Sequence, residues 1–262
     1  MGKVTDALKK ATEERLQRIE RITKIKEEDQ IVIKKMGDSK IDSRIISYFD
    51  PKSPITEQYK ILKTNMLSLH NKGKPTKIIV VTSSIHTEGK TVTALNLAVA
   101  MAQSVNKPKI LLIDGDLRRG RLARYLGARQ QVGLTELLRN QAKLEDVLFK
   151  VDLENLTFIA AGSIPHNPVE LLASENMKVL LSDLKTKFDY IFIDTPPLIS
   201  VTDPGILGSQ ADGVLMVVQA GRTQRGIVRH ATELLNQAQA KLLGYVLTNI
   251  EYHLPEYIYR YL

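Results

Sequence analysis

The chain has 262 residues, of which 43% are hydrophobic and 25% charged, the composition of an ordinary globular protein with one sizeable core. It contains no cysteine, which excludes a disulfide framework and a thiolate metal site and is compatible with a reducing cytoplasm. The N-terminus is charged rather than apolar and no apolar run reaches membrane-spanning length, so neither a signal peptide nor a transmembrane helix is predicted.

The N-terminal part carries most of the net charge of +8, because residues 1–75 hold 17 Lys and Arg against 11 Asp and Glu. Apolar residues at three- and four-residue steps predict a charged helix over 3–28. Residues 29–54 suggest a linker with room for one edge strand. We expect this leader, residues 1–54, either to meet an acidic surface such as an anionic membrane face, or simply to be solvated.

A second helix is predicted over 56–70, and its apolar face would consist of Ile61, Leu62, Met66 and Leu69. A separate polar stripe follows the same helix and consists of Glu57, Lys60 and Lys63. These charges can pair within the helix or with another molecule.

From residue 77 onward, strands and helices alternate, which predicts a doubly wound, three-layer α/β domain over 55–250. The predicted strands lie near 77–83, 109–114, 156–161, 189–194, 213–219 and 242–249. The predicted helices lie near 89–104, 134–139, 175–186 and 223–239. The strands are continuous apolar runs, as is typical of a mostly parallel sheet covered on both faces.

The first of these strands leads into a polar loop that ends in Gly89-Lys90-Thr91, followed by an apolar helix. This arrangement predicts a phosphate-binding loop, in which Lys90 contacts the outer phosphates of a nucleotide and Thr91 is a ligand of Mg²⁺. The predicted binding set is Thr87, Glu88, Gly89, Lys90, Thr91 and Val92. Ser84 stands where the usual pattern has its first glycine, and the alternative interpretation is an ordinary strand-to-helix turn.

Two further strands end in acidic residues, Asp114 and Asp116 after one and Asp194 after the other. Carboxylates at the ends of buried strands beside a phosphate loop favour Mg²⁺ binding, directly or through water. Asp114 or Asp116 can also accept a proton from an attacking hydroxyl group. The alternative role is helix capping.

A cluster of arginines, Arg118, Arg119, Arg121, Arg124 and Arg129, follows the acidic motif. Three roles fit this cluster: a phosphate clamp, a contact with acids of a neighbouring subunit, or a contact with nucleic acid.

Residues 251–262 form a C-terminal tail that contains four of the nine tyrosines of the chain: Tyr252, Tyr257, Tyr259 and Tyr261. Tyrosines beside acidic residues at a flexible chain end are candidate phosphoacceptors. The alternative is an edge strand or helix whose rings pack on the core.

Taken together, these features resemble the bacterial tyrosine kinase (BY-kinase) family of capsule and exopolysaccharide loci, in its stand-alone cytoplasmic form. The matching motifs are Ser53-Pro54-Ile55-Thr56-Glu57-Gln58-Tyr59, the loop ending in Glu88-Gly89-Lys90-Thr91, Asn96-Leu97-Ala98, Leu112 to Arg118, Ile193-Asp194-Thr195-Pro196-Pro197, Thr202-Asp203 and the tail tyrosines. The leader and tail most resemble the subgroup of exosortase-linked exopolysaccharide loci.

The resemblance implies an ATP- and Mg²⁺-dependent tyrosine autokinase that regulates polysaccharide synthesis and export. Its catalytic residues would be Lys90, Asp114, Asp116 and Asp194, with Thr91 and the three aspartates around the metal. Tail tyrosines would be phosphorylated in trans within a ring of subunits. Glu57, Lys60 and Lys63 would form the subunit contact, although the family has arginine at the last two positions. His86 replaces a common proline in the loop.

The resemblance also implies a membrane-embedded polysaccharide co-polymerase as activator, a cognate tyrosine phosphatase, and a cytoplasmic location at the inner membrane through a partner. It implies no nucleic-acid partner. Two other functions remain as alternatives. One is a positioning ATPase of the ParA/MinD type, against which stands Ile85 at the position of an early loop lysine. The other is a nucleotide-binding regulator with little kinase activity.

Overall fold

The structure is a computed structural model and describes residues 35–36, 39–70, 76–128, 132–150 and 155–250. The predicted leader helix, the tail tyrosines and Arg129 lie outside these residues. The strands are β1 (Lys35–Met36), β2 (Ser39–Lys40), β3 (Ile78–Ser83), β4 (Ile110–Asp114), β5 (Phe149–Lys150), β6 (Leu156–Ile159), β7 (Tyr190–Asp194), β8 (Gly213–Gln219) and β9 (Leu242–Thr248). The helices are α1 (Ile46–Phe49), α2 (Pro54–His70), α3 (Lys90–Ala102), α4 (Leu122–Tyr125), α5 (Leu134–Leu138), α6 (Leu144–Val147), α7 (Pro168–Ala173), α8 (Glu175–Lys187), α9 (Asp203–Gln210) and α10 (Arg225–Gln237).

One seven-stranded sheet forms the centre of the protein, in the order β5-β6-β4-β7-β3-β8-β9. All its strand pairs are parallel except the antiparallel pair of β5 with β6. Alternate residues of β3 point to opposite faces, so Ile79 and Val81 join one core cluster and Ile78 and Val80 the other. Helix α3 covers the first face, while α8 and α10 cover the second. The predicted three-layer, mostly parallel α/β fold is confirmed.

Several short elements were not predicted from the sequence, among them α9 and the two-residue strand β5. Helix α9 begins Asp203-Pro204-Gly205, and these residues give no apolar period over the few turns available. Of the helices in the described part of the chain, none combines the length and the apolar character needed to cross a lipid bilayer.

The segment 41–49 packs against the core and is not a linker, which corrects the sequence interpretation of residues 29–54. Ile41 and Ile45 are each 1% exposed and belong to the same core cluster as α3. Asn96 in α3 holds the segment, since its side-chain oxygen accepts the Ser47 N–H at 2.9 Å and its amide nitrogen donates to the Arg44 carbonyl at 2.9 Å. The strand expected in this region is a separate hairpin of β1 with β2.

Helix α2 begins slightly before its predicted start, because Ser53 accepts the Thr56 N–H at 3.1 Å and Pro54 fits the first helical turn. Leu62 and Met66 face the core as predicted, whereas Ile61 is 54% exposed, so its assignment to the buried face was wrong. The Lys60 ammonium lies 2.6 Å from the Glu57 carboxylate, the pairing within the helix.

Candidate active site

The loop between β3 and α3 has the backbone conformation of an anion-binding turn. Thr87 and Gly89 have positive φ angles of 65° and 92°. Gly89 caps α3, and a side chain there would be strained in this left-handed conformation. The first N–H groups of α3 therefore face the end of the parallel sheet, which is the position at which such folds bind phosphate.

Glu88 holds the shape of this loop from the interior of the protein. Its side chain is 1% exposed and accepts hydrogen bonds from the Ile85 N–H at 2.7 Å, the Gln219 N–H at 3.2 Å and the Thr223 hydroxyl group. Glu88 was predicted to belong to the nucleotide-binding set. Its carboxylate points into the protein and joins the loop to the end of β8 and to the residues that follow it.

Lys90, Thr91 and Asp194 come together at the start of α3, as the sequence predicted. The Thr91 hydroxyl donates to the Asp194 carboxylate at 2.7 Å, and the Lys90 ammonium lies 3.4 Å from the same group. Asp194 is 1% exposed. Burial raises the pKa of Asp194 above its ordinary value, while the positive charge of Lys90 and the hydrogen bond from Thr91 oppose this effect.

Asp114 ends β4 directly beside Asp194, because the two residues are register partners in neighbouring parallel strands. Its two carboxylate oxygens accept the N–H groups of Leu122 at 2.9 Å and Asp116 at 3.2 Å. Burial and, next, the negative charge of Asp194 raise the pKa of Asp114 to about 7. Two buried carboxylates thus face one nearby lysine.

Asp116 is more open to solvent, and its carboxylate accepts the Arg119 N–H at 3.0 Å. It lines a cavity of about 290 Å³ at the carboxyl edge of the sheet. The predicted site residues that line this cavity are Thr87, Gly89, Lys90, Thr91, Val92, Asp116 and Asp194. Among the described residues, no group of three or more His, Asp or Glu side chains is arranged to hold a metal ion without other ligands.

Arg44 and Tyr125 also line the cavity, and sequence reasoning missed both. The Arg44 guanidinium lies 4.6 Å from the centre of the Tyr125 ring and pairs with Asp42 at 2.7 Å. The available signal was Asn96, a polar residue within an apolar helix, which anchors the segment that carries Arg44.

The arginine cluster is divided by the structure. Arg119 and Arg121 line the cavity, whereas Arg118 pairs at 2.9 Å with Asp203, which is fully buried.

His86 lies at the cavity and its ring is 3.2 Å from the Ser200 hydroxyl. Ser84 is buried beside the sulfur of Met216. Glu57, Lys60 and Lys63 lie on α2 and do not line the cavity.

Known families and curated proteins include matches to most of this chain. A family model described as an AAA domain matches residues 76–243. The tyrosine-protein kinase YwqD of Bacillus subtilis (strain 168) is 35% identical over 217 residues, which cover 83% of this chain and 90% of that protein.

Two solved structures have the same fold. The crystal structure of the chimerical protein CapA2B2 has a TM-score of 0.74 at 32% identity, and the match covers 84% of this chain and 96% of that one. The kinase domain of the Escherichia coli tyrosine kinase ETK has a TM-score of 0.76 at 26% identity, and the match covers 80% and 82% of the two chains. With these similarities over most of its length, the chain belongs to the bacterial tyrosine kinase (BY-kinase) family.

Proposed function

We propose that this chain transfers the terminal phosphoryl group of ATP to tyrosine, with the tail tyrosines of another copy of the chain as its first acceptors. The observation that carries the proposal is the convergence of Lys90, Thr91 and Asp194 at the phosphate loop, with Asp116 lining the same cavity. Family membership supports tyrosine as the acceptor. Phosphoryl transfer depends mainly on positioning and charge neutralisation, and this set of residues supplies both.

The donor groups at the site fit Mg²⁺. Asp114 and Asp194 are buried neighbours; burial and, next, the negative charge of Asp194 raise the pKa of Asp114, and a divalent cation would offset both effects by stabilising the ionised carboxylates. Mg²⁺ in kinase sites commonly takes one or two protein oxygens, with nucleotide phosphates and water as further ligands. Thr91 and Asp194 would hold the ion, with Asp114 and Asp116 contacting its water ligands. The ion would neutralise charge on the phosphate oxygens.

In the reaction, the acceptor phenol oxygen forms a bond to the terminal phosphorus of ATP as the bond from that phosphorus to the bridging oxygen breaks. ADP leaves with the electron pair of that bond. Asp116 is the proposed acceptor of the phenol proton, because its carboxylate lines the cavity. Both oxygens of Asp114 already accept backbone N–H groups, which suits a positioning role. Lys90 would hold the terminal phosphate.

The test is incubation of the purified full chain with Mg²⁺ and ATP, followed by detection of phosphotyrosine. Lys90→Met and a chain truncated after Glu251 are expected to give no signal. Lys241→Met is the matched control, because Lys241 is exposed and directly precedes the start of β9, whereas the cavity lies at the carboxyl ends of the strands. It should retain the parent signal. A cytoplasmic fragment of the membrane activator is added in a parallel reaction.

Two outcomes would contradict the proposal. ATP hydrolysis stimulated by DNA or lipid without phosphotyrosine would indicate a positioning ATPase instead. Nucleotide binding without phosphotyrosine, even with the activator fragment, would indicate a regulatory protein.

We also propose that the kinase works in the cytoplasm at the inner membrane as a ring of subunits. A polysaccharide co-polymerase would activate it, and a tyrosine phosphatase would remove the phosphoryl groups that it adds. Exposed Ile55 and Ile61 on α2 support a contact between copies beside Glu57, Lys60 and Lys63. The proposed organisation is a leader, a kinase domain ending near residue 250, and a tyrosine tail. The packing of residues 41–49 supports a kinase domain that begins near 41 rather than 55.

A further inference from the structure

The cavity extends from the phosphate loop toward one side of the sheet only. Strands β7 and β4 lie on one side of β3, and β8 and β9 lie on the other. Besides residues of the loop and α3, the cavity wall includes Asp194 at the end of β7, and Asp116, Arg119 and Arg121 after β4. A phosphate held by Lys90 would therefore have open space on the β4 side, where an acceptor can approach.

The loop that carries these arginines is held at several points. Arg118 is bound to buried Asp203 through two hydrogen bonds of 2.9 and 3.1 Å. The Asp116 carboxylate accepts the Arg119 N–H, and Asp114 accepts the Leu122 N–H. The backbone at positions 119 and 121 is thus fixed relative to the site, which lowers the entropy cost of binding.

Arg119 and Arg121 are exposed and form no ion pair with any residue that the structure describes. We call these two residues the arginine rim. The Arg44 guanidinium and the Tyr125 ring, which line the same cavity, form a cationic and aromatic wall. This wall suits a phenol ring, and the rim suits a carboxylate.

We propose that the arginine rim selects acceptor tyrosines that are preceded by an acidic residue, by pairing with that carboxylate while the phenol enters the cavity. The proposal rests on the kinase function proposed above and adds the substrate class. In the tail, Tyr252 follows Glu251 and Tyr257 follows Glu256. Tyr259 and Tyr261 flank Arg260 instead. The rim therefore favours Tyr252 and Tyr257 of a second copy of the chain over Tyr259 and Tyr261.

The experiment separates enzyme from acceptor. The enzyme is the chain truncated after Glu251, and the acceptor is the full-length Lys90→Met variant, so that only transfer between molecules is measured. Initial rates at each tail tyrosine are followed by mass spectrometry. The test enzyme carries Arg119→Glu and Arg121→Glu. The control enzyme carries Lys109→Glu and Lys241→Glu, the same charge change at exposed residues preceding β4 and β9.

We expect the rim variant to phosphorylate Tyr252 and Tyr257 about tenfold more slowly. It should affect Tyr259 and Tyr261 far less and bind a fluorescent ATP analogue as the parent does. An acceptor that also carries Glu251→Lys and Glu256→Lys should restore the rates of the rim variant and be a poor acceptor for the parent enzyme. The control enzyme should behave as the parent.

Two results would overturn the rim proposal alone. One is that the parent enzyme phosphorylates all four tyrosines at equal rates. The other is that the charge-reversed acceptor does not restore the rates of the rim variant. Loss of ATP-analogue binding in the rim variant would also overturn it and make the rim a phosphate clamp. Absence of transfer by the parent enzyme, with the activator fragment present, would overturn the kinase proposal together with it.

Discussion

The hydroxyl group of Thr248, at the end of β9, donates a hydrogen bond of 2.8 Å to the main-chain oxygen of Glu88 in the phosphate loop. The Thr248 methyl group also lies 3.6 Å from the position that a Cβ atom on Gly89 would occupy. The last strand of the sheet therefore supports the loop from the side opposite the catalytic carboxylates.

Thr248→Val should weaken nucleotide binding about three- to tenfold, since one hydrogen bond that holds the loop is lost while the shape of the side chain is retained. Isothermal titration calorimetry with an ATP analogue measures this change. Thr64→Val is the control, because it removes a hydroxyl-to-carbonyl hydrogen bond on the exposed part of α2. Equal affinities in Thr248→Val and the parent would show that the loop needs no support from β9.

Asp212 supplies stability that depends on pH. Burial raises the pKa of its carboxyl group, but the N–H of Ile78, the Lys185 ammonium and the N–H of Lys77 outweigh burial and hold the pKa below its ordinary value. A depressed pKa means that the folded state favours the ionised form, so this stabilisation is present at neutral pH and is lost as the pH falls below about 4.

Asp212→Ala should lower the free energy of unfolding by about 1–3 kcal/mol at pH 7 and by progressively less toward acidic pH. Urea unfolding at several pH values measures the difference. Asp183→Ala removes an exposed carboxylate on α8 and should change stability little at any pH. A constant difference between Asp212→Ala and the parent across the acidic range would contradict the assignment.

The packing of segment 41–49 can be tested with two isoleucines. Ile45→Ala should lower the free energy of unfolding by about 2–4 kcal/mol, because Ile45 is 1% exposed in the core cluster that contains α3. Ile61→Ala should change it by about 0.5 kcal/mol or less, because Ile61 is 54% exposed. Similar losses in the two variants, measured by chemical denaturation, would show that the segment is not packed on α3.

The proposed contact between copies through α2 predicts that Ile61→Glu lowers the molar mass measured by light scattering after gel filtration. The charge would enter an apolar contact beside Lys60 and Lys63. Val179→Glu, at a residue of α8 that is 52% exposed, is the control and should leave the mass unchanged. A parent chain that stays monomeric at all concentrations would contradict the ring, and an unchanged mass for Ile61→Glu would exclude α2 from its contacts.

Much of the sheet and most of the cavity could be predicted from the sequence, for a physical reason. Parallel strands that are buried on both faces are continuous apolar runs, and their carboxyl ends meet at one edge. Lys90, Thr91, Asp116 and Asp194 follow such runs, so their convergence was predictable and is observed.

The part of the cavity formed by Arg44 and Tyr125 depends on contacts between distant residues. Asn96 holds the chain 52 residues earlier at Arg44, and no local period reports such a contact. The error at Ile61 has a related cause. Helical periodicity identifies apolar positions, but which neighbouring element covers them is decided by tertiary packing. For Glu88, the motif gives the position in the loop but not the direction of its side chain, which contacts with distant residues decide.

The packing of residues 41–49 over α3 affects the choice of a kinase fragment for biochemical study. A fragment that starts at residue 76, where the match to the AAA-domain model begins, would keep every strand of the large sheet but lose the Arg44 wall of the cavity and the cover over α3. Water would then reach the phosphate from that side. Such a fragment should hydrolyse more ATP for each phosphoryl group that it transfers to tyrosine. The tyrosine kinase activity measured on it would be lower than that of the full chain.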